Sequence, residues 1–437
     1  MLRSFSVILV VSLIVLLSCS SPQRGIFSSR TPHEKYTDKL NEAGLDKTAL
    51  GQSWLTVANK ALAQPLTINL PYRETGYFPA AAPEAAGFRF TARRGDQLVI
   101  TCAKKPANGF TLFMELWQPQ QSEQPTILRA ADSAEAGLQY EVKKDGEYVL
   151  RLQPELLSSG EYTLTISTAP SLAFPVETRR DPRIGSFWGD ARDAGARSHE
   201  GIDIFSPFRT PAIAAADGYV RSVGTNNLGG KVVFIRPRDR DYVLYYAHLD
   251  SQMVSQGQDV RAGDTIGLIG NTGNARNTPP HLHFGIYSSG GAIDPLPFVK
   301  RDRPEPEPIT VSLERLSDSV RSSRNAMIYV APDLKSSKTL LTDTHTLLQV
   351  KAATGDWYKV QLPDGSEGFV SGKSVNGLSE PVQSVTLNAT QALFDKPDSL
   401  LAARKAFVEE KEKVEVLAVY KDYYYVRKGK ESGWIVR

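Results

Sequence analysis

The hydrophobic pattern changes character several times along the chain. Phe5 to Leu17 is an apolar run broken only by Ser6 and Ser12, behind the basic start Met1-Leu2-Arg3. Such a run is too short to span a bilayer as a helix, which needs ~20 residues. A short apolar core after a positive start predicts a signal peptide over 1–18. Residues 19–33 are rich in Ser, Pro and Arg and read as a tether. Over 34–64, Leu40, Leu45, Leu50, Leu55 and Ala58 recur at roughly helical spacing. Breaks near Gly44 and Gly51 predict two short helices there.

From 65 to 170 the pattern turns to strands. Phe88-Arg89-Phe90, Leu98-Val99-Ile100 and Leu112-Phe113-Met114 are short runs separated by turn residues. Asp145-Gly146 before Tyr148–Leu152 is a hairpin signal, and Tyr162 to Ile166 alternates cleanly. A strand-rich unit follows over 183–300, and a Pro-rich, semi-rigid linker over 301–312. The C-terminal part carries a weak internal repeat. Asp356-Trp357-Tyr358 before Gly368-Phe369-Val370 is echoed by Asp422-Tyr423-Tyr424 before Gly433-Trp434-Ile435, at an offset of 66 residues. Its aromatic residues read either as core or as a ligand groove.

At 437 residues the chain has room for about three domains. Hydrophobic residues at 41% and charged residues at 23% are ordinary for soluble domains, each able to bury a core. The net charge of +3, without a Lys/Arg cluster, argues against a nucleic-acid partner. There are two cysteines. Leu16-Leu17-Ser18-Cys19 resembles the lipobox of bacterial lipoproteins. In that reading Cys19 becomes the first residue and carries acyl chains, and two or more chains anchor stably. An exported, membrane-anchored lipoprotein of the periplasm or cell envelope is then expected. Ser20-Ser21 offers no acidic retention cue, which in a diderm cell favours the outer membrane. Cys102 shares a strand face with Leu98 and Ile100 and is expected to be a buried, inert thiol.

Four of the six histidines fall between positions 199 and 283. His33 and His345 stand apart and are expected at the surface. In Ser198-His199-Glu200-Gly201-Ile202-Asp203, an extended backbone brings His199 and Asp203 to one face. In Pro280-His281-Leu282-His283-Phe284, His281 and His283 share a face while Leu282 and Phe284 point to the core. Val243 to Leu249 is an apolar strand that places His248 at a sheet rim. An antiparallel sheet could gather all five side chains into one patch. Two His and one Asp are a zinc ligand set that leaves a position for water, whose pKa zinc lowers to ~7. The two remaining imidazoles would serve as a proton acceptor and as a partner for a developing oxyanion. Gly267, Gly270 and Gly273 lack the Lys-Ser/Thr of a phosphate loop, so nucleotide binding is rejected.

The order of these pieces is specific. Ser186 to Asp190, His199-Glu-Gly-Ile-Asp203, Ala215-Ala-Asp-Gly218, Tyr246-Ala-His248-Leu, Val260-Arg-Ala-Gly263, Gly270-Asn-Thr-Gly273 and His281-Leu-His283-Phe follow one another over roughly 115 residues. In that order the segment resembles the lysostaphin-like (LytM-type) zinc metallopeptidases of bacterial cell walls. The resemblance implies a mainly β fold, with an antiparallel sheet carrying a narrow groove. It implies one catalytic zinc ion held by His199, Asp203 and His283, with His281 and His248 as the catalytic pair. Residues 65–170 resemble the pre-peptidase C-terminal β-sandwich, and 315–376 and 383–437 resemble bacterial SH3-like modules. The expected function is a zinc metalloendopeptidase that cuts peptide cross-links of peptidoglycan in cell-wall remodelling. The competing readings are a non-catalytic activator or scaffold for other cell-wall hydrolases, and a peptidase acting on proteins.

Overall fold

The computed structural model describes residues 30–119, 125–132, 137–192 and 195–437. The predicted signal peptide, Cys19 and nearly all of the tether lie outside the described residues. Among the described residues, no helix is long and apolar enough to cross a membrane.

Two helices form, Pro32–Glu42 and Ala49–Ala63. Thr31 and Glu34 cap the first reciprocally, each side chain taking the other's backbone N–H, with Pro32 at the first helical position. Gly51 lies inside the second helix and does not break it. A Cβ there would sit 2.0 Å from the Leu45 carbonyl oxygen, so glycine permits the tight return between the helices. Both helices lie on the sandwich, where the buried Trp54 donates through Nε1 to the Pro154 carbonyl at 2.8 Å.

His33 is not at the surface: only 5% of it is exposed. Its Nε2 lies 2.7 Å from Gln153 Oε1 and its Nδ1 lies 3.2 Å from Arg151 Nη2. Arg151 also pairs with Glu115, which accepts from Thr31 at 2.8 Å. One isolated His carried no signal of this network, because its partners lie more than 100 residues away in sequence. His345 is half-buried.

Residues 65–170 build two facing sheets. Among the described residues one runs in the order Leu66–Thr67, Ala86–Ala92, Gly146–Pro154, Leu112–Gln118, Thr126–Ala131. The other contains Tyr72–Phe78, Gly160–Pro170, Asp96–Lys105 and Gly137–Glu141. Phe88, Leu116, Leu150 and Leu152 from the first meet Leu98, Ile100, Leu164 and Ile166 from the second in one core. Fully burying each such side chain is worth ~1.5–3 kcal/mol. Asp145-Gly146 does not turn a hairpin. The strand before it pairs with Asp96–Lys105 and the strand after it pairs with Ala86–Ala92, so the turn carries the chain from one sheet to the other. Cys102 is half-buried against this core, and burial pushes its thiol up to about 12.

The first C-terminal barrel is joined to the sandwich by its backbone. Thr75 and Gly76 pair with Ala353 and Ala352, so one sheet runs through both units. Tyr329, Trp357 and Phe369 of the barrel sit in the sandwich core. Lys351 pairs with Glu84, and the Lys359 amine lies 4.9 Å from the centre of the Phe88 ring. Of the two readings of the repeat's aromatics, core therefore holds for Trp357, Tyr358, Phe369 and Trp434, all of them buried. The second barrel has its own sheet, from Gln383–Thr386 to Glu431–Val436, and lends Phe394, Tyr420 and Trp434 to the core of the first.

The sequence between sandwich and barrels forms an antiparallel sheet over 183–293. Its main path runs Arg183–Ser186, Ile202–Phe205, His281–Ser288, Tyr242–Gln252, Gly230–Pro237, Gly218–Asn226, Asp259–Val260. Its core reaches back to Leu172 and Val176 and forward to Phe298 and Val299. Arg240–Glu141 (3.0 Å) and Arg303–Asp96 (2.9 Å) tie this unit and the start of the Pro-rich stretch to the sandwich.

Candidate metal centre

The pairing register gathers the histidines. Asp203 is directly opposite His283 across one strand pair, and His283 is opposite Ala247, the neighbour of His248, across the next. Strand alternation puts Leu282 and Phe284 fully inside, leaving His281 and His283 on the other face. His199 is outside any strand, just after the short pair Ala191–Arg192 and Arg197–Ser198, and its ring folds over to meet Asp203. Gly201 makes room for this, since a Cβ there would come 2.7 Å from His283 Cε1.

The donor atoms form a triangle. His199 Nε2 and His283 Nδ1 are 3.0 Å apart, and Asp203 Oδ1 is 3.1 Å from each. His199 Nδ1 donates to the Phe187 carbonyl at 2.8 Å, which turns Nε2 into the triangle. Two imidazole nitrogens and a carboxylate oxygen that converge this closely share a cation well. Tetrahedral zinc with bonds of ~2.0–2.1 Å spaces its ligands about 3.3 Å apart. The donor set and its size therefore fit zinc, with one ligand atom each from His199, Asp203 and His283 converging on one point. Burial pushes the Asp203 carboxyl up, but hydrogen bonds to His199 and His283 outweigh this and hold it far below the usual carboxylate range. Burial pulls His283 down.

His248 and His281 stand beside the triangle, their ring centres 4.9 Å apart, and His248 is 5.9 Å from His283. His248 has a φ of +62°, at a bulge where the register with Gly230–Pro237 slips. A non-glycine residue there is strained, and such strain collects at functional sites. His248 Nδ1 lies 2.9 Å from the Thr272 carbonyl, and His281 Nδ1 lies 2.9 Å from the Pro279 carbonyl. A carbonyl only accepts, so both rings carry their proton on Nδ1 and keep Nε2 as a base. Burial, followed by the neighbouring His281, lowers His248 to about 4.

The patch lines an open groove of about 1350 Å³. Sequence reasoning missed several residues of its walls, among them Arg192, Asn226, Tyr245 and Tyr287. Arg192 donates to Asp203 Oδ2 at 2.6 Å. A lone Arg in a loop reads as solvated. Its one signal was its place two residues after the quoted Ser186–Asp190 stretch.

Residues 197–295 match the sequence model of the family described as peptidase family M23. This domain belongs to peptidase family M23. Similar proteins include the L-Ala--D-Glu endopeptidase of Bacillus subtilis (strain 168), 38% identical over 140 residues, which are 29% of this chain and 43% of that protein. The peptidoglycan DD-endopeptidase ShyC of Vibrio cholerae is 39% identical over 94 residues, 22% of this chain and 21% of that one. The catalytic domain of lysostaphin from Staphylococcus simulans is 30% identical, covering 29% of this chain and 98% of that structure, with a TM-score of 0.26. The chain thus spans less than half the length of these two curated relatives.

Proposed function

We propose that this chain is a zinc-dependent endopeptidase that hydrolyses peptide cross-links of peptidoglycan in the cell envelope. The observation that carries the reading is the triangle of His199 Nε2, Asp203 Oδ1 and His283 Nδ1 in the lining of an open groove. These three side chains would hold one zinc ion. Zinc supplies a Lewis acid that polarises the carbonyl and acidifies water near neutral pH. The remaining chemistry falls to His281 and His248. His281 accepts the proton of the attacking water at Nε2. His248 is neutral at pH 7 and has no Nε2 proton to offer the developing oxyanion until it has taken one. Once it holds the water's proton, His281 is therefore the donor, to the oxyanion and then to the leaving amine, with His248 a neutral acceptor beside it. The reading includes no acyl-enzyme: the Ser186 hydroxyl near His199 donates to Asp190 and accepts from Arg192, so it has no base to activate it as a nucleophile.

Lipidation at Cys19 would anchor the protein to a membrane facing the wall, with the outer membrane as the expected site. The relatives' names cover more than one wall bond; in a diderm cell the D-alanyl–diaminopimelate cross-link is the bond proposed here, on the family resemblance. The test is to incubate the purified chain with cross-linked muropeptides and follow the products by mass spectrometry. Conversion of dimers to monomers, blocked by chelator and restored by zinc, is the expected result. Release of intact stems from the glycan would make the protein an amidase. No product, with stimulation of a second hydrolase, would favour the activator reading.

A further inference from the structure

Asp203 divides its two oxygens between different partners. Oδ1 belongs to the triangle, 3.1 Å from each nitrogen. Oδ2 is held at 2.6 Å by Nη2 of Arg192. The same nitrogen donates to Ser186 Oγ at 2.6 Å, and that hydroxyl donates to Asp190 Oδ2 at 2.9 Å and lies 3.2 Å from His199 Nδ1. The backbone fixes the arrangement. Arg192 pairs with Arg197, the His199 N–H donates to the Asp190 carbonyl at 2.8 Å, and Ser186 lies opposite Asp203. One short hairpin therefore carries both His199 and the cation that grips Asp203. The Arg192 side chain is 33% exposed and that of Asp203 is 9% exposed, so the charge reaches in from the groove wall.

A carboxylate with both oxygens free can turn and offer a metal one of them or both. Here, turning would break a charge-assisted hydrogen bond, the stronger kind. We propose that Arg192 is a positioning residue that presents Asp203 to zinc through Oδ1 alone, keeping the ligand set at three protein atoms. This rests on the zinc reading above. Two effects oppose each other. The guanidinium repels a divalent cation and so weakens its binding, whereas ordering the ligand strengthens it. Partners that orient metal ligands are typically worth 10–100-fold in affinity, and the ordering effect is the one expected to win.

The experiment uses the full chain in detergent as wild type, Arg192→Ala, Arg192→Lys and His199→Ala. Zinc affinity is read by competition with a chromogenic chelator, and coordination by the visible spectrum of the cobalt(II)-loaded protein. Arg192→Ala should bind zinc about 10–100-fold more weakly. Its cobalt bands should lose intensity as Asp203 turns to give both oxygens and the coordination number rises. Arg192→Lys, which keeps a cationic donor, should recover part of both. Zinc binding as tight as wild type or tighter in Arg192→Ala overturns the proposal. So does weaker binding with an unchanged cobalt spectrum, since Oδ2 then does not enter. A wild type that takes no zinc, or a His199→Ala variant that keeps it, overturns the zinc reading itself.

Discussion

Replacing His281 with alanine separates proton transfer from metal binding. The ring is outside the triangle and has its own anchor, the Pro279 carbonyl 2.9 Å from Nδ1. Zinc content should therefore stay at one per chain. The loss falls on Nε2, the base that accepts the water's proton. Positioned proton transfer is typically worth 10²–10⁴-fold, or about 2.7–5.5 kcal/mol of barrier. The side chain is 5% exposed and its ring centre lies 5.0 Å from that of Phe205, so truncation leaves a small void. That costs about 1–3 kcal/mol of stability, less than a domain's usual margin. The assay is the rate at which muropeptide dimers become monomers, alongside elemental analysis for zinc and a thermal melt. His281→Gln serves as a variant that fills the void without supplying a base. A wild-type rate in both variants would refute the assignment. Loss of zinc from both would move His281 into the ligand set.

Three further outcomes can be checked. His33 is lowered to about 4, by burial first and the Arg151 charge second. The unfolded chain then takes up a proton near pH 6.5 that the native state refuses until about pH 4. Stability from His33 is complete above pH 6.5 and falls by about 3 kcal/mol on acidification to pH 4. His33→Gln should flatten that part of a stability-versus-pH curve, and an unchanged slope would contradict the argument. Phe369 is fully buried in the sandwich core although it belongs to the barrel. Phe369→Ala should cost about 3–5 kcal/mol and lower one shared unfolding transition, whereas a separate barrel transition with the sandwich unmoved would show the two to be uncoupled. Cys19→Ser should leave the protein unanchored or immature, and a mature, salt-resistant membrane form would end the lipoprotein reading.

The face of each metal-site candidate was legible because strand alternation is local, and the peptidase fold class was legible from the order of the motifs between Ser186 and Phe284 and the family they resemble. Leu282 and Phe284 buried beside His281 and His283 is strand alternation, and a period of two is visible in any sequence. The bulge under His248 was not legible, because a register slip belongs to the pairing of two strands and neither strand encodes it alone. Arg192 and His33 were missed for a related reason. Each is a single charged or titratable residue whose meaning comes from partners elsewhere in the chain. The turn at Asp145-Gly146 misled in the opposite direction, since its composition fits a hairpin and only the sandwich requires it to change sheets.

The backbone joint between Thr75-Gly76 and Ala352-Ala353 limits how this architecture can be rearranged. A module tethered only by a linker can be cut out, duplicated or moved to another enzyme with little harm to its former neighbours. Removing this barrel would strip the outer partner from Tyr72–Phe78, leaving an open strand edge beside newly wetted aromatic core. Such an edge is a template for pairing with another chain. A shortened descendant of this protein would need new residues along 72–78 to keep that edge from pairing with another chain, such as a charge facing inward or a proline at the edge. The heritable unit is therefore sandwich plus barrel, and the Pro-rich stretch that looks like a boundary in the sequence does not mark where the molecule can be divided.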